Sequence, residues 1–211
     1  MASPLYLDDA SLDFYRTRNI HDLCLSMVIY TVADSSFKDL FWQMFYDSAS
    51  QWCDDVRLFK CKDSDPKGYY SLQRYENMPE DDDVLVCDID IKFHYIDPLI
   101  LSLMLDRYET ITLARKKIEN GKLGGQMAIL FRKDIIPFVK AYALSVKDKS
   151  TWGTDKSIKK WIVNNTAHTH FHCTYDAYLN ENMHPKWIAF ARGTNKPKLQ
   201  PSVKFECLNS I

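Results

Sequence analysis

Residues 84–96 read VLVCDIDIKFHYI and show the clearest β-strand pattern in the chain. Apolar and polar side chains alternate, so an extended strand would place the two sets on opposite faces. One face would carry Leu85, Cys87, Ile89, Ile91, Phe93 and Tyr95, and the other Asp88, Asp90, Lys92 and His94. This alternation predicts a strand of a small antiparallel sheet that packs on one side and meets water on the other.

The residues before this strand predict a helical N-terminal part. Within residues 11–53, apolar side chains recur at helical spacing, first at Ile20, Leu23, Met27 and Tyr30 and then along residues 37–52. Two short β-like runs follow, at residues 56–62 and 69–75. The loops beside them, KDSDPKG and ENMPEDDD, are rich in turn formers and acidic residues.

A long central helix is predicted after the strand. Asp97 suits the N-cap, Pro98 suits the first helical position, and Gly121 suits the C-terminal end. Beyond it we expect a strand at residues 126–132, a helix at 134–145, a mixed segment SIKKWIVNN, and a meander of strands at 167–178, 186–191 and 202–207. The predicted fold class is α+β: a helical N-terminal part, a small antiparallel sheet, a long central helix and a β-rich C-terminal meander.

Length and composition indicate a folded protein of one domain, residues 1–211. The chain has 211 residues, of which 46% are hydrophobic and 13% aromatic, which excludes global disorder. A possible subdivision falls between an acidic helical and β part, residues 1–121, and a basic β-rich part, residues 122–211.

The first residues, MASPLYLDD, lack the features of a secretory signal, and the apolar stretches are shorter than a membrane span. The 6 Cys residues form no CxxC pair, which is typical of reduced, buried thiols. These features predict a soluble cytoplasmic or nuclear protein, with peripheral attachment to membranes as an open alternative.

Charge is divided along the chain. Residues 1–110 contain 18 Asp and 3 Glu against 10 Lys and Arg, a net charge of −11, whereas residues 111–211 carry +10. Such asymmetry suggests an anionic partner for the basic half, either nucleic acid or an anionic lipid surface, or the acidic half of a second copy. The alternative is that the two halves interleave in the fold and their charges pair.

Aromatic side chains stand among the cations of the basic half, an arrangement that suits phosphate contact with base stacking or attachment to lipid headgroups. The alternative is that the indoles belong to the core. The candidate binding residues are Lys159, Lys160, Trp161, Lys186, Trp187, Arg192, Lys196 and Lys198.

The strand at residues 84–96 also contains a D-x-K triplet, Asp90-Ile91-Lys92, preceded by Asp88. In restriction-type nucleases, carboxylates in such a pattern bind Mg²⁺ or Mn²⁺ while the lysine positions the attacking water. The alternative is a strand whose solvent face pairs its own charges.

Three histidines, His168, His170 and His172, would share one face of a strand. Neighbouring histidines in this pattern can bind Zn²⁺ or act as a proton switch near pH 6.5. A polar sheet face is the alternative.

No P-loop, G-x-S-x-G, H-E-x-x-H or G-x-G-x-x-G motif is present, and whether the chain is an enzyme stays open. We therefore expect a non-enzymatic structural or interaction protein, possibly viral accessory or matrix-like. It would bind nucleic acid such as RNA, or an acidic membrane surface, through its basic half. It would self-associate as a homo-oligomer, and a host or other partner protein is possible. The alternative function is a divalent-metal nuclease that uses Asp88, Asp90 and Lys92.

Overall fold

The computed structural model describes residues 27–64, 67–93, 98–115, 128–146, 152–176 and 188–190. The strands are β1 (Met27–Ala33), β2 (Asp55–Lys60), β3 (Asp83–Cys87), β4 (Ile91–Phe93), β5 (Thr110–Arg115), β6 (Ala128–Phe131), β7 (His168–Asp176) and β8 (Ile188–Phe190). The helices of the described residues are α1 (Ser35–Ala49), α2 (Lys67–Glu76), α3 (Pro98–Leu105), α4 (Ile136–Ser145) and α5 (Trp152–Asn165). A 3-10 turn, Lys133–Ile135, precedes α4.

The eight strands of the described residues form one mixed sheet with the order β2-β1-β3-β6-β5-β7-β8-β4. Strands β1, β2 and β3 are parallel to one another, and β6 runs antiparallel to β3 and to β5. Strand β5 therefore points in the same direction as β3, and β7 and β8 are parallel to it. The short β4 is last in this order and pairs antiparallel with β8.

Strand β1 occupies residues for which a helix was predicted. Its sequence, MVIYTVA, is apolar or β-branched at nearly every position, and all seven residues are buried. Continuous apolar runs of this kind belong to parallel strands that are covered on both faces. The helical spacing of Met27 and Tyr30 misled the prediction because a fully buried strand carries no alternation to identify it. Residues 11–26 lie outside the described residues.

The helix predicted over residues 37–52 is confirmed as α1, although it begins earlier. Asp34 is the N-cap, and its Oδ1 accepts a 2.8 Å hydrogen bond from the Phe37 backbone N–H. Phe41 and Phe45 of the predicted apolar stripe are buried against the sheet. A capping residue at the end of β1 thus turns the chain directly from strand into helix.

Helix α2 replaces the strand that was predicted at residues 69–75. Leu72 and Tyr75, three residues apart, are buried on one face of the helix. Tyr75 packs edge-on against Phe131 of β6, with ring centroids 6.3 Å apart. The aromatic residues that suggested a strand therefore anchor a helix to the sheet.

Helices cover both faces of the sheet. One apolar cluster includes Ile29 and Leu85 of the sheet, Phe41 and Phe45 of α1, and Leu101 of α3. The opposite cluster joins alternate strand residues to α2, α4 and α5; its members include Tyr30, Val86, Leu72, Val139 and Ile162. The architecture is therefore three layers, helices–sheet–helices.

The predicted long central helix is wrong. Helix α3 ends at Leu105, and the residues that follow form β5. The predicted first helical position, Pro98, is confirmed, whereas Asp97 lies outside the described residues. The end was misjudged because Thr110–Arg115, TITLAR, is a strand buried in the middle of the sheet.

The predicted antiparallel sheet and C-terminal meander are also wrong, and with them the α+β fold class. Strand β7 pairs in parallel with β5 and β8 rather than with a hairpin neighbour. The segment SIKKWIVNN lies in α5, and residues 202–207 lie outside the described residues. Among the described residues, no helix is long and apolar enough to cross a membrane.

Candidate functional site

The order of the first three strands predicts a crevice at the carboxyl ends of β1 and β3. The chain passes from β1 through α1 to β2 on one side, then returns through α2 to β3 on the other side of β1. Helix α1 packs on one face of the sheet and α2 on the opposite face. Because the two connections lie on opposite faces of the sheet, the carboxyl ends of β1 and β3 have room for a ligand between them.

Two carboxylates follow the carboxyl end of β3. The strand ends at Cys87, residues 88–90 form a turn, and β4 begins at Ile91. The side chain of Asp88 is 30% exposed, whereas Asp90 is 3% exposed. The single strand predicted at residues 84–96 is therefore broken by a turn, and Asp90 is buried rather than on a solvent face.

Arg74 of α2 forms an ion pair with Asp88, joining its Nη2 to the Asp88 Oδ1. The Arg74 side chain is only 14% exposed. A guanidinium withdrawn from water to this extent needs a carboxylate partner, and Asp88 supplies it. A cation from one face of the sheet thus reaches the turn that carries both carboxylates.

The phenol of Tyr30 lies beneath this ion pair. Tyr30 is 2% exposed, and its hydroxyl has no hydrogen-bond partner among the described residues. Burial, reinforced by the nearby Cys61, raises the pKa of Tyr30 far above its usual range, while the positive charge of Arg74 opposes the rise. Tyr30 is therefore a neutral phenol close to the Arg74 guanidinium.

A second pair of carboxylates lies at the end of β1. Asp34 accepts hydrogen bonds from the Phe37 N–H and from the Ser36 hydroxyl, at 2.8 and 2.7 Å. Asp63, after β2, accepts a 2.8 Å bond from the Ser35 N–H, and this bond lowers the pKa of Asp63. These bonds fix the loops that follow β1 and β2 beside the crevice.

The predicted nuclease triad is divided between a turn and a strand. Asp88 and Asp90 lie in the turn after β3, and Lys92 follows Asp90 by two residues on β4, which pairs with β8. Asp88 forms an ion pair with Arg74 of α2. Sequence reasoning missed Arg74 because residues 69–75 were assigned to a strand, and no local signal pairs a helix residue with a turn 14 positions later.

The described part of the basic candidate surface lies on α5. Lys160 is exposed, and Lys159 is partly buried. Trp161 is stacked on Tyr142 of α4 with ring centroids 4.9 Å apart, and so contributes to the packing of the two helices. Lys186, Trp187, Arg192, Lys196 and Lys198 lie outside the described residues, so their binding role stays a prediction.

The histidines lie on β7, and His168 is the first residue of that strand, at the end of the sheet opposite to Asp88. His168 Nδ1 is 2.8 Å from the Thr110 hydroxyl, and the His168 and His170 rings meet edge to face at 4.7 Å. Burial and the proximity of His170 lower the pKa of His168 to about 4. No cluster of three or more His, Cys, Asp or Glu residues suited to a metal is found in the described part of the chain, which omits the His172 side chain. Zinc binding here stays a prediction.

The solved structures with a similar fold include glycosyltransferases. One is a glycosyltransferase involved in the glycosylation of the major capsid of PBCV-1, with 11% identity and a TM-score of 0.58 over 82% of this chain and 96% of that one. Another is the glycosyltransferase GlyE of Streptococcus pneumoniae TIGR4, with 11% identity and a TM-score of 0.52 over 82% of this chain. The chain spans only 56% of GlyE. No protein-family model matches the chain, and no curated protein matches it.

These likenesses correct the function predicted from sequence. The chain has a fold similar to that of these glycosyltransferases, and the expectation of a non-enzymatic, RNA-binding or matrix-like viral protein is wrong. The same likenesses overturn the alternative of a D-x-K nuclease, and the continuous strand on which it depended is broken by the turn at residues 88–90. Strands β2, β1 and β3 of the acidic half and strands β6, β5, β7 and β8 of the basic half are joined in one sheet, and the anionic partner expected for the basic half stays a prediction.

Proposed function

We propose that the protein is a glycosyltransferase that uses a nucleotide-sugar donor, bound at the carboxyl ends of β1 and β3. The observation that carries the proposal is the Asp88-Ile89-Asp90 turn, which follows the central strand β3 at the topological switch point. Ligands of open α/β sheets bind in this crevice. The fold similarity to glycosyltransferases supports the proposal independently of the site.

The donor set suits a hard divalent cation. Mg²⁺ and Mn²⁺ prefer oxygen ligands and are often held by one or two carboxylates together with substrate phosphates. Asp88 and Asp90 provide two carboxylates with one residue, Ile89, between them. No group of three or more His, Cys, Asp or Glu residues suited to a metal is found among the described residues. These two carboxylates therefore suit a cation that is bound by the protein and by a diphosphate together. When bound, such a cation would neutralise charge on the departing diphosphate.

The chain's own residues would hold and orient the donor. Asp88 and Asp90 would bind the cation, and the guanidinium of Arg74 would add positive charge beside it. In the reaction, the bond between the anomeric carbon and the diphosphate oxygen breaks, and a bond from that carbon to an acceptor oxygen forms. The acceptor loses its proton, and the nucleoside diphosphate leaves with the electron pair of the broken bond.

The test is turnover with a panel of UDP-, GDP-, ADP- and CDP-sugars in the presence of Mn²⁺ or Mg²⁺, read out as release of nucleoside diphosphate. While the acceptor is unidentified, slow transfer of the sugar to water releases the nucleoside diphosphate and provides the readout. We expect one donor class to be consumed, and Asp88→Asn or Asp90→Asn to lower the rate by about 100-fold or more, because a charge that stabilises the transition state is lost.

Asp106→Asn is the matched control. Asp106 is exposed and lies between α3 and the amino end of β5. Because β5 runs parallel to β3, Asp106 lies at the end of the sheet opposite to Asp88. It should retain the wild-type rate. Equal rates in wild type, Asp88→Asn and Asp90→Asn, or no consumption of any donor, would contradict the proposal.

A further inference from the structure

Arg74 occupies an unusual place for a cation beside a pair of carboxylates that would bind a metal. Its guanidinium is joined to Asp88, and its side chain is less exposed than that of Asp88, 14% against 30%. Arginine stays protonated at any physiological pH, so the pair cannot be relieved by loss of a proton. A cation that binds Asp88 must therefore displace Arg74 or share the carboxylate with it.

The described side chains next to the Arg74 guanidinium include neutral and apolar groups. Tyr30, buried beside it, stays neutral and offers no negative charge. Leu72 and Tyr75, its neighbours on α2, are buried in the apolar cluster. Once Asp88 binds a metal ion, its charge offsets that of Arg74 less, and a phosphate matches the guanidinium in charge and geometry.

We infer that Arg74 competes with the divalent cation for Asp88, so that the cation binds tightly only together with the nucleoside diphosphate. This inference rests on the proposed function and adds an order of binding to it. Without nucleotide, the Arg74–Asp88 ion pair opposes the cation through both charge repulsion and occupation of the carboxylate. With nucleotide, Asp88 ligates the cation while Arg74 pairs with a phosphate oxygen, and positive coupling between the two ligands follows.

The experiment measures the affinity of the protein for Mn²⁺ alone by electron paramagnetic resonance of the unbound ion. Removing the competing charge in Arg74→Met should tighten Mn²⁺ binding by about tenfold, within the usual range of coupling between two ligands. Arg74→Lys keeps a charge and should lie between the wild type and Arg74→Met.

Arg132→Met is the matched control. Arg132 also pairs with carboxylates, Asp134 at 2.7 Å and Glu109 at 3.6 Å. It follows β6, which runs antiparallel to β3, so it lies at the end of the sheet opposite to Asp88. It removes the same charge far from Asp88 and should leave the Mn²⁺ affinity unchanged.

A second measurement needs no variant at Arg74. The Mn²⁺ affinity of the wild type is measured with and without a saturating nucleoside diphosphate (UDP, GDP, ADP and CDP in turn), after correction for the metal–nucleotide complex in solution. At least one nucleotide should tighten Mn²⁺ binding by about tenfold or more, and the gain should shrink in Arg74→Met.

The inference is overturned if Arg74→Met binds Mn²⁺ no better than the wild type, or if no nucleotide changes the wild-type affinity. Its failure is separable from that of the proposed function. If Asp88→Asn and Asp90→Asn abolish Mn²⁺ binding while Arg74→Met leaves it unchanged, only the competition is refuted. If both asparagine variants bind Mn²⁺ as the wild type does, the cation site itself is refuted.

Discussion

The hydroxyl of Thr31 donates a 3.0 Å hydrogen bond to the backbone carbonyl of Cys87, joining β1 to β3 immediately before Asp88. Thr31 is fully buried, and Cys87 is the last residue of β3. The bond therefore fixes the point at which the chain leaves the sheet and enters the Asp88–Asp90 turn. A side chain in the interior thus helps to determine where the two carboxylates stand.

Thr31→Val keeps the shape of this side chain and removes its hydroxyl. We expect the free energy of unfolding to fall by about 1 kcal/mol, since one buried hydrogen bond is lost. The rate of donor consumption should fall by about tenfold or more, because a small displacement of reacting groups is costly. Urea unfolding and the turnover assay measure the two effects. Thr31→Ser, which keeps the hydroxyl, should restore the rate; an inactive serine variant would argue against a positioning role for the bond.

Protonation of His168 should couple stability to pH. His168 packs against the hydroxyls of Thr110 and Thr112 and the ring of His170, with Glu109 bonded nearby to the Ala167 N–H. Its pKa is about 4 in the folded protein, against 6.5 for an unperturbed histidine, because burial disfavours the charged ring. The unfolded chain therefore takes up the proton first as the pH falls. The stabilisation is complete above pH 6.5 and is lost as the pH falls from 6.5 towards 4.

The measurement is urea unfolding at intervals between pH 7.5 and pH 4.5, comparing the wild type with His168→Gln. The wild type should lose up to about 3 kcal/mol more than the variant over this interval, less whatever screening the half-buried ring receives. His170→Gln removes the neighbouring ring and should shift the wild-type curve only slightly. Parallel pH curves for the wild type and His168→Gln would refute the assignment.

Trp161, a candidate for stacking on a nucleic-acid base, is stacked on Tyr142 at an interplanar angle of 13°. Trp161→Ala should lower the free energy of unfolding by about 2 kcal/mol or more, because an aromatic contact between α4 and α5 is removed. Lys160→Ala, one position away and exposed, should change it by less than about 0.5 kcal/mol. Thermal unfolding of the two variants separates the roles; a wild-type stability in Trp161→Ala would leave the indole available for a ligand.

Asp34 should be worth more to stability than an ordinary surface aspartate. Its carboxylate caps α1 through the Phe37 N–H and also accepts the Ser36 hydroxyl. Asp34→Ala is expected to cost about 1–2 kcal/mol, and Asp34→Ser, which retains a capping oxygen, should cost less. Denaturant midpoints of the two variants check the order. Equal midpoints would mean that the cap contributes little.

Local signals in the sequence predicted several elements correctly, but they did not predict how those elements pair. Alternation identified Val84–Cys87 as a strand, and the apolar spacing of Phe41 and Phe45 identified α1. The pairing of β7 with β5 joins residues 58 positions apart, such as Thr110 and His168, and no local signal reports it. Fully buried strands such as β1 also lack the period that separates strand from helix.

The candidate site was partly visible in the sequence. Asp88 and Asp90 were recognised as a carboxylate pair that suits a divalent cation, but they were grouped with Lys92 because all three would share the face of one continuous strand. The turn at residues 88–90 interrupts that strand, and α2 supplies a further cation, Arg74, which pairs with Asp88. The ion pair depends on the return of the chain across β1, which is a property of the topology rather than of any motif.

The central claim is that a nucleotide sugar binds at the carboxyl ends of β1 and β3 through a cation held by Asp88 and Asp90. The most direct measurement is calorimetric titration of each nucleotide sugar, with Mn²⁺ present, into the wild type, Asp90→Asn and Asp106→Asn. The account predicts that one donor binds the wild type and Asp106→Asn equally and binds Asp90→Asn at least about tenfold more weakly. Unaltered binding to Asp90→Asn, or no binding of any donor to the wild type, would contradict it.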